Sequence, residues 1–323
     1  FTDPSYFGQI IIMNNVHIGN YGVKDDEVES STVKIKGLIG RNLEDQFSRK
    51  MANGSLEAYL EKNGIVCIEG IDTRALVTHV RKNGAMNCLI SSETQDLDQL
   101  KKKLAETPDM AGLELASKVT TATPYELGNP KSPIRIAVLD FGTKQHILTC
   151  MVDRGAFVKV FPAKTKIQDL KAFQPNGYFI SNGPGDPAVM DYAIATVKEV
   201  LKEKKPTFGI CLGHQLIALA SGLQTFKLHH GHRGLNHPVK NLLTGLCEIT
   251  TQNHGFGVDP GSVPKAKNVE VTHVNLNDDS VEGIRLTDQP AFSVQYHPES
   301  TPGPHDSRYL FDQFIEMIQK TLN

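Results

Sequence analysis

A single cysteine stands between two glycines in the stretch PTFGICLGHQLIALASG, residues 206–222. The residues before Cys211 are apolar and typical of a buried strand, and those after it are typical of a helix. Gly209 and Gly213 supply the small flanks that a sharp strand-to-helix turn needs, with Cys in place of Ser in the G-x-S-x-G elbow. Unpaired N–H groups at the start of a helix favour a thiolate. The spacing therefore favours Cys211 as a nucleophile, whereas the residue alone would favour a buried core cysteine.

A nucleophilic thiol needs a base, and the base needs a group that orients it. In FSVQYHPES, residues 292–300, alternating apolar residues predict a strand, with His297 and Glu299 at its end. Residues two apart on a strand share one face, about 6.6 Å apart, so Glu299 can bend back to the imidazole. A His-x-Glu pair alone is usually structural, but beside the elbow it completes a Cys–His–Glu triad. His214, in the elbow helix, is a weaker alternative base.

An oxyanion formed at this thiol would need two N–H donors. The N–H of Leu212, the residue after the nucleophile, is the first candidate. The second could come from SNGPGDP, residues 181–187, where two glycines follow a predicted strand and can form an anion-binding nest. The same loop is equally consistent with an ordinary tight turn.

Metal and nucleotide sites have weaker support. His229, His230, His232 and His237 crowd a glycine-rich stretch with no Cys, Asp or Glu among them, so we expect a packed loop and no metal site. The five cysteines form no CxxC pair, which excludes a disulfide framework or a cysteine zinc site. GPGDPA, residues 183–188, is not GxGxxG, and no GxxxxGK[ST] occurs, so any ATP chemistry is expected on another chain.

Charge and hydropathy argue against nucleic-acid-binding and membrane proteins, and length bears on the number of domains. The chain has 34 basic and 36 acidic residues and no long basic run, so we expect no nucleic-acid or membrane partner. No apolar stretch reaches the ~18 residues of a membrane helix. Scattered cysteines favour a reducing compartment, and we expect a cytoplasmic protein. The 323 residues suit two domains at roughly 150 residues each, and because the sequence opens on Phe1, we expect further residues before it.

Two parts of the chain with different patterns of predicted helices and strands must position these motifs. Residues 1–120 form a smaller N-terminal α/β domain, with helices predicted over 71–85 and 97–108. The segment 121–133 holds three prolines and is predicted to be a linker. From 134 to 323, strands alternate with helices, which predicts an α/β domain with a doubly wound, mostly parallel sheet. Ligands bind such sheets at the carboxyl ends of the strands, where we expect SNGPGDP and Cys211.

The motifs SNGPGDP, GICLGHQ and HPES stand in the order and roughly the spacing of the triad (class I) glutamine amidotransferases, which residues 134–323 resemble. The stretches TDPSY, HIGNYG and GIDTRALVTHVRKNGAMN, with GHRGLNHPV and NHGFGVD, are similar to the small subunit of carbamoyl-phosphate synthetase. The resemblance implies that glutamine is hydrolysed to glutamate and ammonia through a cysteine thioester. It also implies a heterodimer whose large synthetase subunit receives the ammonia, for arginine and pyrimidine biosynthesis.

The resemblance further implies a role for each matching residue. Cys211 would attack the amide carbon, His297 would transfer protons and Glu299 would orient the imidazole. The N–H groups of Gly185 and Leu212 would hold the oxyanion. The glutamine site would be lined by Ser5, Gly183, Gln215, Asn253, Gly255 and Phe256. ATP, Mg²⁺ and bicarbonate would bind the large subunit, and this chain would hold no cofactor.

Three alternatives remain at this point. The chain could be the glutaminase of another biosynthetic amidotransferase, which identification of its partner would distinguish. It could be a catalytically idle regulatory subunit, although an intact triad argues against that. It could also be a cysteine peptidase or hydrolase built on a similar elbow, in which case peptides would be cleaved and glutamine would not.

Overall fold

The chain consists of two compact units. The computed structural model describes residues 1–322, and contacts within the chain divide it into Phe1–Leu113 and Glu114–Asn323. This division falls before the predicted boundary at residue 120. The segment 121–133, expected to be a linker, contains a strand, Tyr125–Leu127, that belongs to the sheet of the second unit. The three prolines of this segment lie outside the strand. The strand is at the edge of the sheet, so a proline near it removes no hydrogen bond between strands.

The first unit is a small α/β arrangement around a compact core. Its elements are β1 (Ile10–Ile12), β2 (His17–Ile18), β3 (Gly37–Ile39), β4 (Asn42–Leu43), α1 (Leu56–Lys62), β5 (Val66–Ile68), α2 (Thr73–Asn83) and α3 (Leu97–Ala105). A parallel sheet has the order β1-β3-β5, and β2 pairs with β4 in parallel. The core is formed by Ile18, Ile35, Leu38, Leu56 and Leu60.

Both longer helices predicted in this unit are confirmed, together with the residues that bound them. α2 follows Asp72, whose carboxylate accepts a hydrogen bond from the N–H of Ala75 at 2.9 Å. It ends before Gly84, which has a φ of 94° and so adopts a conformation that suits glycine. α3 follows Asp96, whose carboxylate caps the helix N-terminus, and it ends at Ala105.

The second unit is a ten-stranded sheet with helices on both faces. Its elements are β6 (Tyr125–Leu127), β7 (Arg135–Asp140), α4 (Gln145–Val152), β8 (Phe157–Pro162), α5 (Ile167–Ala172), β9 (Gly177–Ile180), α6 (Asp191–Lys202), β10 (Thr207–Ile210), α7 (Leu212–Ala220), β11 (Thr225–Asn241), β12 (Cys247–Val258), β13 (Val269–Asn275), β14 (Val281–Leu286), β15 (Ala291–Val294) and α8 (Tyr309–Leu322). The strand order is β12-β11-β13-β14-β15-β10-β9-β7-β8-β6. None of the helices within residues 1–322 is both long enough and apolar enough to cross a membrane.

The predicted α/β class is confirmed, and the parallel strands lie together in the middle of the sheet. β8, β7, β9, β10 and β15 are parallel to one another, whereas β6 is antiparallel at one edge. On the other side, β14, β13, β11 and β12 are antiparallel, and β11 and β12 form one long hairpin with two register shifts. The parallel half is therefore the doubly wound part, and the antiparallel half extends it.

Alternate residues of the central strands enter two separate cores. On β7, Ile136 and Val138 pack in the core that includes α4 and α8, whereas Ala137 and Leu139 pack in the core that includes α5, α6 and α7. This alternation follows from the two-residue period of a strand covered on both faces.

An aromatic cluster fixes the position of β10. Phe208 stacks on Phe292 of β15 with ring centroids 4.4 Å apart, and its edge meets Phe179 of β9 at 5.4 Å. In the same core, its ring centroid lies 5.8 Å from that of Phe311 and 5.7 Å from that of Phe314, both on α8. Because β10 leads directly into Cys211, this cluster fixes the strand from which the elbow starts.

We expect Phe208→Ala to lower the free energy of unfolding of the second unit by about 3–5 kcal/mol, because it opens a large cavity among four rings. The measurement is urea denaturation of the full chain followed by circular dichroism. Phe226→Ala is the matched control, since Phe226 is 41% exposed on β11 and its removal should cost no more than about 0.5 kcal/mol. Equal losses for the two variants would contradict this account of the core.

Candidate active site

Four neighbouring parallel strands end at one edge of the sheet. β7, β9, β10 and β15 are paired in register, so their carboxyl ends lie side by side. The segments that follow these strands are 141–144, 181–185, Cys211 and 295–299. Most of the residues singled out in the sequence of this unit therefore meet at one edge, as the general rule for such sheets predicts.

The elbow at Cys211 is a strained corner with no room for side chains around it. Cys211 has a φ of 54° and a ψ of −104°, a conformation that residues other than glycine rarely adopt. Its N–H donates to the carbonyl of Val294 at 2.9 Å, which ties the corner to β15. A Cβ on Gly213 would overlap the carbonyl oxygen of Ile180, and one on Gly209 would lie 2.9 Å from the carbonyl carbon of Gly213. The two glycines are thus required by close backbone approach.

His297 and Glu299 come together by a different route from the one expected. β15 ends at Val294, so the interpretation that both residues share one strand face is wrong. A tight turn brings them together instead, in which the N–H of Ser300 donates to the carbonyl of His297 at 3.2 Å and its hydroxyl donates to the same oxygen at 2.8 Å. The predicted side-chain contact does form, with 2.8 Å between His297 Nδ1 and Glu299 Oε1.

Lys144, which the sequence did not single out, completes a buried row of charged groups. Its Nζ lies 2.8 Å from Glu299 Oε1, and the side chains are only 4% and 0% exposed. Lys144 follows β7, and its N–H donates to the side-chain oxygen of Asn182 at 3.2 Å. A lysine just before a helix is normally a solvated charge, so the sequence gives no signal for this contact.

These contacts decide the charges of the row. Burial alone would raise the pKa of Glu299, but Lys144 and His297 lower it far below its ordinary value, so the group is a carboxylate. Burial alone would lower the pKa of His297, but the Glu299 carboxylate and the nearby Cys211 side chain raise it above its ordinary value. His297 Nε2 makes no hydrogen bond of ordinary geometry, so its approach to the sulfur is looser than a direct bond. A loose contact of this kind is common in free enzymes.

The alternative base His214 is occupied elsewhere. Its Nδ1 lies 2.9 Å from the hydroxyl of Ser293 on β15, and the ring is fully buried. Burial lowers the pKa of His214 to about 3, so the ring is neutral in the core. This arrangement favours His297 as the group that exchanges protons with Cys211.

Three residues assigned to a ligand site, Asn253, Gln215 and Phe256, make contacts at or near the elbow. The Cys211 thiol donates to the carbonyl of Asn253 at 3.9 Å. Gln215 Nε2 donates to the carbonyl of Phe256 at 2.8 Å and to Gln295 Oε1 at 3.0 Å. The side-chain amide of Asn253 is buried, yet neither its nitrogen nor its oxygen has a hydrogen-bond partner. An unpartnered buried amide, on a residue whose carbonyl contacts the thiol, is a ready recognition group for a polar ligand.

The glycine positions are placed as follows. Gly255 lies on β12 between Asn253 and Phe256. Gly183 follows β9, and a Cβ there would overlap the carbonyl of Phe141 and approach the side chain of Leu212. Gly185 has a φ of 102° and bridges the backbone of Glu114. The N–H of Leu212 opens α7 and has no intrahelical partner, as in any first helical turn.

Ser5 belongs to the other unit. It lies in a one-turn 3-10 helix, Pro4–Tyr6, and its N–H donates to the Asp3 carboxylate at 2.8 Å. Its assignment to the ligand site stays a prediction.

We expect Lys144→Met to lower the free energy of unfolding by about 3–5 kcal/mol, because it leaves the buried Glu299 carboxylate short of its counter-charge. Lys159→Met is the matched control, since the Lys159–Glu126 pair has a similar 2.9 Å contact but side chains 28% and 46% exposed. That control should cost about 0–1 kcal/mol. Equal losses would show that burial does not govern the Lys144 contact.

The same variant has a pH signature. Because the pKa of Glu299 is lowered in the folded chain, its stabilising effect is present above the ordinary value of 4.5 and is lost as the pH falls. The difference in free energy of unfolding between wild type and Lys144→Met should therefore become smaller when urea denaturation is repeated at progressively lower pH. A difference that stays constant would argue against a charged Glu299.

Comparisons with known proteins agree with this architecture. Residues 137–317 match the family model described as glutamine amidotransferase class-I, and residues 1–90 match that of the carbamoyl-phosphate synthase small chain, CPSase domain. The carbamoyl phosphate synthase small chain of Chlorobaculum tepidum is 46% identical over 324 residues, covering 100% of this chain and 88% of its own. That of Thermotoga maritima is 45% identical over 350 residues, with coverages of 99% and 88%.

A solved structure has a similar fold over more than half of the chain. A Thermoplasma acidophilum protein described as one subunit of a GMP synthase has a TM-score of 0.51 and 21% identity, and the match covers 58% of this chain and 96% of that one. At this identity the likeness concerns the fold alone. The two family models and the relatives that match over the whole chain show that this chain belongs to the carbamoyl-phosphate synthase small chain family, with a class-I glutamine amidotransferase domain as its C-terminal part.

Proposed function

We propose that this chain is the glutaminase subunit of a glutamine-hydrolysing carbamoyl-phosphate synthase. The observation that carries the proposal is the strained Cys211 elbow beside the buried His297–Glu299 contact, in a chain of this family. A thiol at a helix N-terminus, next to a cationic imidazole, has the surroundings that favour a thiolate nucleophile.

In the first half of the reaction, the Cys211 thiolate attacks the side-chain amide carbon of glutamine. The N–H groups of Leu212 and Gly185 would hold the oxygen that becomes negative. The C–N bond then breaks, and His297 gives its proton to the departing nitrogen, which leaves as ammonia. Glu299, held by Lys144, keeps the imidazole oriented and stabilises its charged form.

In the second half, water cleaves the γ-glutamyl thioester. Neutral His297 takes a proton from the water as its oxygen attacks the thioester carbon. The C–S bond breaks, glutamate leaves, and the thiolate–imidazolium pair is restored. The side chains of Gln215 and Asn253, together with the backbone of Gly183, Gly255 and Phe256 and the Ser5 hydroxyl, would bind the glutamine.

The ammonia would be consumed by a large synthetase subunit that binds ATP, Mg²⁺ and bicarbonate. This partner follows from the small-chain family, whose product would feed arginine and pyrimidine biosynthesis. A cytoplasmic location is supported by five cysteines, all of which are free thiols in the structure.

We expect Cys211→Ala to lower the rate of glutamine hydrolysis by at least about 10³-fold, because no other group at the site can form the thioester. The assay measures glutamate release by the complex with its large subunit. Cys247→Ala is the control, since Cys247 is an exposed free thiol on β12, and it should keep wild-type activity.

Two further measurements separate the alternatives. A glutamine-analogue alkylator should label Cys211 in the wild type, and failure to label it would favour an idle regulatory subunit. Ammonia-dependent carbamoyl phosphate formation should persist with Cys211→Ala while the glutamine-dependent reaction is lost. Peptide cleavage without glutamine turnover would contradict the proposal.

Glu299→Gln should shift the alkaline limb of the pH–kcat/KM profile to lower pH. The active form carries a protonated His297, so activity falls as the pH rises through the pKa of that group, and Glu299 raises this pKa. Loss of a carboxylate at this distance changes such a pKa by about 1–3 units. The double variant Lys144→Met/Glu299→Gln, which removes both buried charges, controls for the lysine left unpaired. If the alkaline limb does not move in either variant, Glu299 does not orient and stabilise the protonated His297.

A further inference from the structure

We propose that His232, His254 and Glu282 form a binding site for a divalent transition-metal ion of the zinc class, with Gln252 as a fourth ligand. The two histidines face each other across the β11–β12 hairpin, and Glu282 comes from β14. All three side chains are buried, and one ligand atom of each lies within 4.8 Å of the others. This revises the expectation of no metal, which considered only the glycine-rich stretch.

The outer nitrogen of each imidazole is already held by an acceptor. His232 Nε2 lies 2.8 Å from the carboxylate of Asp278, and His254 Nδ1 lies 2.7 Å from the carbonyl of Phe256. Metal-binding histidines almost always donate their second N–H to a carboxylate or a backbone carbonyl. In the neutral form that a metal ligand requires, each ring therefore keeps its proton on the outer nitrogen, and the lone pairs of His232 Nδ1 and His254 Nε2 point into the cluster.

The inward atoms have the spacing of a coordination shell. His232 Nδ1 is 3.3 Å from Glu282 Oε1 and 3.1 Å from Gln252 Oε1, and His254 Nε2 is 2.8 Å from the same glutamine oxygen. A tetrahedral zinc ion with bonds of about 2.0–2.1 Å separates its ligand atoms by about 3.3 Å. Small shifts would therefore give two nitrogens and two oxygens around one ion.

Two buried atoms of this cluster, His254 Nε2 and Glu282 Oε2, face no hydrogen-bond donor. His254 Nδ1 is held by the carbonyl of Phe256, so its Nε2 turns a lone pair toward the side-chain oxygen of Gln252, 2.8 Å away. Glu282 Oε2 is buried without a hydrogen-bond partner. A metal ion between these side chains would take up the lone pair of His254 Nε2 and place a positive charge beside the buried Glu282 carboxylate.

The charges and the support of the ligands also suit a divalent ion. Glu282 and Asp278 supply two negative charges beside the cluster, which balance a charge of +2. Asn275 Nδ2 donates to Glu282 Oε1 at 3.0 Å, and Gln252 Nε2 donates to the hydroxyl of Thr250 at 3.3 Å, so both oxygen ligands are held from outside. Such outer contacts orient ligands toward an ion.

The site would stiffen the strand that carries the glutamine-binding residues, a consequence that rests on the proposed function. Gln252 and His254 flank Asn253 on β12, and the Phe256 carbonyl bound by His254 also accepts from Gln215. A bound ion would therefore fix Asn253 and Phe256 beside Cys211. Removal of the metal should raise the KM for glutamine more than it lowers kcat.

The test uses the full chain freed of metal with a chelator. Titration with Zn²⁺ alone, followed by calorimetry, should show one ion per chain, and Co²⁺ should give the visible absorption of a tetrahedral site. Glu282→Gln should weaken Zn²⁺ binding at least about 100-fold, and Asp278→Asn, at an exposed turn position, by about 10–100-fold. His229→Gln, an exposed histidine of the same hairpin, should leave the affinity unchanged.

Absence of stoichiometric Zn²⁺ binding by the wild-type chain would overturn the proposal, as would equal affinities for Asp278→Asn and His229→Gln. In that event the cluster would be a hydrogen-bonded network with a protonated His232. Asp278→Asn keeps the proposal testable should Glu282→Gln fail to fold. Because metal binding is measured without glutamine, its failure would leave the proposed glutaminase intact, and loss of the glutaminase would leave the metal site intact.

Discussion

The narrow space at the carboxyl end of β10 is the constraint on which the rest of the second unit depends. β10 is hydrogen-bonded on both sides by parallel strands, and the helix that follows it must turn back over the sheet at once. The turn is so tight that Gly213 rests against the carbonyl of Ile180, and Cys211 is left with a positive φ. The strain, of order 1–3 kcal/mol for such a residue, is tolerated because the flanking strands and the aromatic cluster hold β10 in place.

The second constraint is electrostatic. Lys144, His297 and Glu299 are charged groups in a region almost free of water, where an isolated charge would cost several kcal/mol. They come from the ends of two strands, β7 and β15, which the sheet holds apart by fixed spacings. The sheet thus positions these groups, and the Glu299 carboxylate keeps the imidazole protonated. The geometry of the proposed nucleophile and the charge of the proposed acid are therefore set by different forces.

The sequence predicted the parts of this site that leave a local pattern. Two glycines around Cys211 indicate the corner, and the alternation in 292–296 places His297 and Glu299 at a strand end. Lys144 left no such pattern, because one lysine before a helix is indistinguishable from a solvated charge. Glu282 and Asp278 were missed for another reason, since they join His232 only through pairing between distant strands. The sequence indicated the doubly wound half of the sheet, whereas the strand within 121–133 was hidden by the prolines around it.

That proline-flanked strand has a consequence for how the molecule behaves among its own copies. β6 is three residues long and occupies the outer position beside β8, where an open row of N–H and C=O groups would otherwise allow another chain to add a strand. Pro124 before β6 and Pro130 after it prevent this row of backbone hydrogen-bonding groups from becoming longer in either direction. At the opposite end, β12 pairs with β11 and also reaches β14, so that the sheet curls upon itself. The ten-stranded sheet therefore leaves few unpaired strand edges to which another chain could add. The segment 121–133, which the sequence predicts to be a linker, contributes to this by closing one edge of the sheet with a short strand.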